Sequence, residues 1–280
     1  MKSLAILCAL FVVSDCVKMP STFQKCTRNK SDFNQCLLKA VENAVHQLNH
    51  PMMAVGLISL EPLEVSSINV SPGTGAAQFT QIYKNVKIYG FSKAKFSKFD
   101  FDFDKKTITF ECSVSNIRVE AEYDFKGRIM VIPFNGKGSA VITLDDVNFV
   151  FTFNLDEYDK SGEKYYKIKK STLVAGPQLI HFQLDNLFGE DEALGKHLND
   201  VFNENWKALW DDVESSYEEL LSSVTKQKNK TKWMRNNSQS QSLKVDQGKL
   251  FLKIWRRFAG RWLSTAGLSS LVVTKGLEIP

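Results

Sequence analysis

Three aspartates at alternate positions form the densest group of side chains in this sequence that could do chemistry: Asp100, Asp102 and Asp104. Neighbouring carboxylates can serve in acid–base catalysis or bind calcium. The residues between them are aromatic, namely Phe99, Phe101 and Phe103. Strict alternation of acidic and aromatic residues favours a strand over residues 98–104 that turns its carboxylates to water and its rings to an apolar interior.

Motifs of the common enzyme classes are missing from the rest of the sequence. His181 lies in an alternating, strand-like segment with no identifiable catalytic partner. Gly73 and Gly75 indicate a turn, because a phosphate-binding loop would need a helix after it. We find no Gly-rich phosphate loop, no serine nucleophile elbow, no zinc-protease motif and no cysteine–histidine dyad. The chain is therefore predicted not to be an enzyme and to need no cofactor.

Cysteine usage agrees with export to an oxidising compartment, which would favour a disulfide. Cys26 and Cys36 flank a short polar loop, and a disulfide between them would contribute about 2–3 kcal/mol through loop entropy. Of the other 3 cysteines among the 5 in the sequence, Cys8 and Cys16 belong to the predicted signal peptide described below. Cys112 is left over in an alternating segment, where a buried, inert thiol is favoured over a reactive one. Cys26, Cys36 and Cys112, with the 4 histidines, show none of the usual metal-ligand spacings, so no metal site is predicted.

Residues 1–16 are predicted to be a signal peptide. Lys2 precedes an apolar run, residues 4–13, that is too short to span a bilayer. Small residues suit the positions that a signal peptidase reads, so cleavage is expected after Cys16, with Ser14 as the second choice. No later run approaches about 18 uninterrupted apolar residues, so a soluble, secreted product is expected. Four glycosylation sequons add weak support for secretion: Asn29, Asn69, Asn229 and Asn236.

Charge divides the chain near residue 225. Residues 1–224 hold 24 Lys and Arg against 29 Asp and Glu, whereas residues 225–280 hold 12 against 2. A mildly acidic body argues against a nucleic-acid partner, which needs a basic face to neutralise phosphates. Residues 226–242 are polar, basic and poor in apolar residues, so this part of the tail is expected to be disordered.

Residues 248–263 have the pattern of an amphipathic helix that lies on a membrane surface. Its apolar face, opposite most of the basic residues, consists of Leu250, Ile254, Trp255, Phe258 and Trp262. Three explanations stay open for the tail, residues 225–280: a functional extension, a helix that packs on the body, or translated sequence from an alternative or misassigned 3′ end. The first of these would allow the tail to contact a membrane.

The body is predicted to begin with a helix and continue as a sheet. Apolar residues recur at helical spacing between Ser31 and Pro51, and alternation typical of strands follows from Gly56 to about residue 186. The apolar parity of the strand over residues 139–155 changes in its middle, at two adjacent aspartates, which predicts a bulge with one extra residue. Short links between strands favour an antiparallel, curled meander.

The body is predicted to end with one long helix over residues 190–224. At 1.5 Å per residue it would extend roughly 50 Å, which is long enough for a curled sheet to wrap around it. Residues 17–224 thus predict an α+β fold, with enough length for one large domain or two small, closely joined ones.

A series of short motifs runs through this body: the cysteine pair 26 and 36, then residues 61–63 (EPL), 84–90 (KNVKIYG), 132–138 (IPFNGKG), 186–188 (NLF) and 203–207 (NENWK). In their order and spacing they resemble the takeout-like and haemolymph juvenile-hormone-binding family of insects, within the superfamily of tubular lipid-binding domains. The resemblance covers nearly all of residues 17–224, but the basic tail departs from the family's usual ending. It implies a strongly curved antiparallel sheet wrapped around a long C-terminal helix, enclosing an apolar tunnel.

The resemblance also implies a function. It points to a secreted carrier that holds a small hydrophobic ligand, either juvenile hormone or a fatty-acid-like molecule, in haemolymph or another extracellular fluid. By themselves such aromatic rings would more often pack a solid core than line a pocket. With the resemblance, the expected lining is Phe99, Phe101, Phe103, Phe149, Phe151 and Phe153. The alternative is a secreted lipid- or membrane-binding defence protein, which the amphipathic tail favours and the acidic body disfavours.

Overall fold

One N-terminal helix, seven strands and two C-terminal helices follow one another along the chain. The computed structural model describes residues 20–27, 30–53, 57–160, 163–189 and 191–226. The helices are α1 (Phe33–His46), α2 (Glu192–Glu204) and α3 (Trp206–Lys226). The strands are β1 (Leu63–Val70), β2 (Ala77–Tyr89), β3 (Lys95–Asp102), β4 (Thr107–Ile129), β5 (Ile132–Lys160), β6 (Glu163–Gly176) and β7 (Leu179–Leu184).

Helix α1 confirms the first predicted helix. Its apolar residues recur at helical spacing and share one buried face, on which Leu37, Ala40 and Ala44 are fully buried. A short helical turn over Gln47–Asn49 follows α1 and ends two residues before Pro51. The buried face of α1 packs against the sheet, with β3 as its main contact.

The seven strands form one antiparallel sheet, as predicted, in the order β1-β2-β4-β5-β6. Two further strands pair with only part of a longer neighbour, β3 with the first half of β4 and β7 with the first half of β5. Helix α3 contacts β1 and β2 near one end of this order and β6 and β7 near the other. Because one helix reaches both ends, the sheet must be strongly curved.

The apolar alternation of β5 changes at Asp146, which has a positive φ of 44°. The register with β4 is the same on both sides of this residue, since Val114 pairs with Val147 and Asn116 with Asp145. The buried positions of β4 change at the same point, from even-numbered residues up to Val114 to odd-numbered residues from Ile117 onward. The inward-facing positions therefore change in both strands at the same point, whereas the sequence predicted an extra residue in β5 only.

Strand β3 ends at Asp102, so Phe103 and Asp104 lie in the following turn rather than in the predicted strand. The Asp102 carboxylate accepts a hydrogen bond from the backbone N–H of Lys105 at 2.8 Å and pairs with the Lys105 ammonium group at 3.0 Å. These contacts lower the pKa of the Asp102 carboxyl group. A side chain that bonds the backbone a few residues further on is typical of aspartate in turns, which explains the earlier end.

The predicted long C-terminal helix is two helices, because α2 ends at Glu204 and α3 begins at Trp206. Asn205, between them, has a φ of −110° and donates its side-chain amide to the carbonyl of Val201 at 2.8 Å. The same carbonyl also accepts the backbone N–H of Asn205 at 3.2 Å, so the side-chain amide shares an acceptor with the helical backbone where the helix is interrupted. None of the helices in the described residues is long and apolar enough to cross a membrane.

Two asparagines of α2 bind the backbone of β7. Asn199 accepts a hydrogen bond from the N–H of Leu184 at 2.9 Å and donates to the carbonyl of the same residue at 2.7 Å. Asn203 makes the same pair of bonds with Phe182, at 2.7 and 3.0 Å. An edge strand presents unpaired backbone groups. The two amides satisfy those groups and hold α2 along this edge.

The loop between β1 and β2 binds α3 through one carboxylate. Asp212 accepts hydrogen bonds from the backbone N–H groups of Thr74 at 3.0 Å, Gly75 at 2.8 Å and Ala77 at 2.8 Å. A Cβ atom on Gly73 would lie 2.1 Å from a carboxylate oxygen of Asp212, so the close approach requires glycine. The turn predicted at these glycines is thus an anion-binding nest, and its anion belongs to the same chain.

Candidate ligand-binding interior

Buried apolar residues form two main clusters that meet at the parity change of β4 and β5. The aromatic cluster lies among α1, β3, β6 and the adjoining halves of β4 and β5, and includes Phe101, Ile108, Phe110, Val114, Phe149, Phe151, Phe153 and Leu173. The helix-side cluster lies among β2, β7, α2, α3 and the other halves of β4 and β5, and includes Phe79, Tyr83, Tyr123, Phe125, Phe134, Ile142, Phe202 and Leu209.

All six phenylalanines predicted from the sequence belong to the aromatic cluster. Four of them are buried, namely Phe101, Phe149, Phe151 and Phe153. The other two, Phe99 on β3 and Phe103 in the turn, are partly buried and pack against the same cluster. The structure therefore brings the six rings together, although they come from two separate segments of the chain.

A phenylalanine that sequence reasoning did not select, Phe110 of β4, lies at the centre of these rings. Its ring centroid is 4.5 Å from that of Phe151, 6.1 Å from that of Phe153 and 6.0 Å from that of Phe99. The sequence contained a signal that could have identified Phe110, because apolar and polar residues alternate over residues 107–114 as they do in the neighbouring strands. Strand β4 lies between β3 and β5, so its inward rings must stand between theirs.

Helix α1 is held over the aromatic cluster by polar side chains at its rim. The Glu42 carboxylate accepts a hydrogen bond from the backbone N–H of Phe96 at 2.8 Å. Asn34 donates its amide to the Asp100 carboxylate at 2.7 Å. Asp100 and Asp104 are exposed and Asp102 is partly exposed, so the three aspartates that could have done chemistry face away from the apolar interior.

Three partly buried residues pack against both clusters: Ile88 of β2, Val119 of β4 and Leu144 of β5. They lie on neighbouring strands, because Ile88 pairs with Val119 and Val119 with Ile142 beside Leu144. The two clusters are therefore in contact through apolar side chains. Together they give the protein one elongated apolar interior that follows β4 and β5.

The structure contains the predicted disulfide between Cys26 and Cys36 and leaves Cys112 as a buried free cysteine. Burial raises the pKa of the Cys112 thiol to about 12. At pH 8 about one Cys112 thiol in ten thousand is then ionised, against roughly a quarter for an ordinary cysteine. The arrangement favours an inert thiol.

We expect Cys112 of the folded protein to react with iodoacetamide at pH 8 at least 100-fold more slowly than the same cysteine in guanidinium chloride, because only the thiolate is nucleophilic. Peptide mapping without reduction would measure this labelling and would show Cys26 linked to Cys36. Rapid labelling of Cys112 in the folded protein, or a bridge from Cys112 to either partner, would contradict the assignment.

Of the other sites predicted from the sequence, some lie in the described residues and some do not. His181 is exposed on β7. Asn69 is exposed on the edge strand β1, where a glycan could be attached. The sequons at Asn29, Asn229 and Asn236, the signal peptide 1–16 and the tail beyond residue 226 lie outside the described residues. In the part of the chain that is described, no three His, Cys, Asp or Glu side chains are grouped so that they could hold a metal ion.

Comparisons with known proteins agree with this architecture. The model of the haemolymph juvenile hormone binding protein family matches residues 5–231. The circadian clock-controlled protein daywake is 22% identical in Drosophila yakuba, over 72% of this chain and 80% of that protein, and 24% identical in Drosophila melanogaster, over 71% and 79%. Takeout 1 of Epiphyas postvittana has a similar fold, with a TM-score of 0.61 and 20% identity over 70% of this chain and 88% of its own. This chain therefore belongs to the haemolymph juvenile hormone binding protein family.

Proposed function

We propose that this protein is a secreted carrier, without enzymatic activity, that holds a small hydrophobic molecule in an apolar tunnel enclosed by its curved sheet and its helices. The observation that carries this proposal is the elongated apolar interior, in which two clusters join through Ile88, Val119 and Leu144. Membership in a family described as hormone-binding supports it. The ligand would be juvenile hormone or a fatty-acid-like molecule.

The dimensions and composition of the interior suit a long apolar ligand. Strand β4, which the interior follows, has 23 residues, or about 75 Å of contour length along the curved sheet. Burial of roughly ten methylene groups would supply about 8 kcal/mol, enough for micromolar affinity without a charged anchor. In this proposal the rings of the aromatic cluster line the tunnel: Phe99, Phe101, Phe103, Phe149, Phe151 and Phe153.

The proposal includes export and a domain boundary. Residues 1–16 would be removed as a signal peptide, residues 17–224 would form the ligand-binding domain, and residues 225–280 would be an atypical, partly disordered basic tail. The disulfide between Cys26 and Cys36 fits an oxidising, extracellular compartment. The exposed Asn69 would carry a glycan there.

The test is to express the full chain in insect cells and analyse the protein recovered from the medium by native mass spectrometry. We expect a mass above that of the apoprotein, and organic extraction should release an apolar molecule that accounts for the difference. The extracted protein should then bind a fluorescent fatty acid with micromolar affinity or better. Retention of the protein inside the cells would contradict export, and a protein that binds no apolar probe after extraction would contradict the carrier function.

A further inference from the structure

The hairpin between β4 and β5 ends in two exposed apolar residues. Ile129 pairs with Ile132, so the turn consists of Met130 and Val131 alone. Val131 is 86% exposed and Met130 is 42% exposed. Ile129, directly before them, is fully buried in the helix-side cluster. The chain therefore leaves the apolar interior at Ile129 and presents two further apolar side chains to the outside. We call Met130 and Val131 the hairpin tip.

The residues of the hairpin tip are poorly suited to the turn that they form. Met130 has a positive φ of 53°. Two-residue hairpin turns favour asparagine and glycine, because these residues adopt a positive φ with little strain. Valine is not among the residues that stabilise turns. The two apolar side chains therefore do not help to form the turn, and their exposure to water does not stabilise the fold. Such a departure from local preference is typical of a functional site.

Hydrogen bonds fix the hairpin tip to its neighbours. The backbone N–H of Met130 donates to the carbonyl of Ala76, in the loop between β1 and β2, at 2.7 Å. The Asp212 carboxylate of α3 binds the same loop through the N–H groups of Gly75 and Ala77. The backbone of the tip is thus connected to both the sheet and α3. Its apolar side chains form a protrusion whose position on the molecule is fixed.

Basic side chains lie behind this protrusion. Arg128 and Lys126 are exposed on β4, and they begin roughly 7 and 14 Å of chain before Met130. The residues that pair with them on the neighbouring strands carry no charge: Gln78, Thr80, Pro133 and Asn135. Residues 1–224 as a whole are mildly acidic, with 24 Lys and Arg against 29 Asp and Glu. The hairpin therefore has a local positive charge on a body of the opposite sign.

Apolar side chains at a protruding end, with cations behind them, match the order of layers at a bilayer surface, where hydrocarbon lies beneath anionic headgroups. We propose that the hairpin tip docks this protein on membranes that contain anionic phospholipids. Met130 and Val131 would enter the hydrocarbon boundary, and Arg128 and Lys126 would contact the headgroup phosphates. This inference goes beyond the proposed carrier function and does not depend on it. In a carrier, such contact would bring the protein to a lipid phase in which apolar ligands dissolve.

The shape of the hairpin tip favours a bilayer over a protein partner. A stable protein interface buries about 800 Å² of surface on each partner. Two side chains on a convex turn do not supply that area. A bilayer needs no complementary pocket, because its fluid interface closes around an inserted apolar side chain. The charge of Arg128 and Lys126 then selects bilayers with anionic headgroups.

The first test attaches the environment-sensitive fluorophore NBD to the full chain through Val131→Cys. Cys8→Ser and Cys16→Ser remove two other thiols, and the buried Cys112, with a pKa of about 12, stays unlabelled. Vesicles of phosphatidylcholine with about 30% phosphatidylserine should shift the emission to the blue and brighten it about twofold. The matched control Val174→Cys, at a position that is 51% exposed on β6, should show no change. Binding through the tail alone would leave both labels unchanged, and that result would overturn the inference.

The second test measures co-sedimentation of unlabelled chains with the same vesicles. Every chain carries Trp255→Glu and Phe258→Glu, which remove the apolar face of the tail. Val131→Asp and Lys126→Glu should each lower the affinity about tenfold, and aspartate is well tolerated in turns. The matched control Lys170→Glu, at an exposed position of β6 opposite Asn154, should change nothing. Unchanged affinity in the two hairpin variants, or an equal loss in the control, would overturn the inference.

Discussion

Replacement of Phe151 by aspartate is expected to lower the affinity for a fluorescent fatty acid at least 100-fold. Phe151 is 8% exposed, and its ring lies 4.5 Å from that of Phe110 and 6.4 Å from that of Phe153. A carboxylate at this position would be placed in an apolar interior with no partner charge. It would disrupt the proposed tunnel lining and also reduce the free energy of unfolding by about 3–5 kcal/mol.

The neighbouring residue provides the matched control. Val150 is 37% exposed, because successive residues of a strand point to opposite faces of the sheet. We expect Val150→Asp to keep the wild-type affinity and to change stability by less than about 1 kcal/mol. Circular dichroism would show whether both variants are folded before the titrations. Unchanged affinity in a folded Phe151→Asp protein would remove Phe151 from the tunnel lining.

The second large effect is expected from Asp212. Its carboxylate accepts hydrogen bonds from Thr74, Gly75 and Ala77, and no other contact in the described residues joins α3 to this loop by hydrogen bonds. Hydrogen bonds to charged groups are worth about 1.5–3 kcal/mol each and are not additive. We expect Asp212→Ala to reduce the free energy of unfolding by about 3 kcal/mol, measured by urea denaturation followed by circular dichroism.

Asp211 is the control for this experiment. It is exposed and pairs with Lys207 on the same helix, an ion pair of the kind that contributes about 0.3–0.5 kcal/mol. Asp211→Ala should therefore change stability by less than about 0.5 kcal/mol. Equal effects of the two substitutions would show that the nest does not hold α3, and that its backbone N–H groups are satisfied equally well by water.

Local patterns allowed much of this fold to be predicted. Alternation located the strands, and helical spacing located α1, because each reports only which side chains are buried. The roles of the short sequence motifs depend on contacts between distant residues, so only the structure explains why those residues are needed. Gly90, for example, has a φ of 109°, and its N–H donates to the Glu61 carboxylate at 2.9 Å, which joins two motifs that are 29 residues apart.

Two of the misjudged details, the end of β3 and the length of the C-terminal helix, share a physical cause, which is a side chain that bonds the backbone. Asp102 ends β3 early, and Asn205 divides the C-terminal helix, through bonds to Lys105 and Val201. Periodicity contains no information on such bonds. The nest was missed for a related reason, as was the contact between Tyr217 and Gln81. Asp212 and Tyr217 lie on a helix whose partners on β2 and the preceding loop are more than 130 residues away in sequence.

The turn between β4 and β5 has a consequence for how the chain folds. Ile129 pairs with Ile132 across two residues, and the remaining pairs of this long hairpin can form one after another from that point. The Asp212 contacts join residues 135 to 138 positions apart. Because distant contacts require a costly loop closure, we expect the hairpin to be ordered in the folding transition state and the nest to close later. A newly synthesised chain would then expose the apolar faces of its strands until α3 has emerged from the ribosome and docked, which makes it a client for chaperones during synthesis.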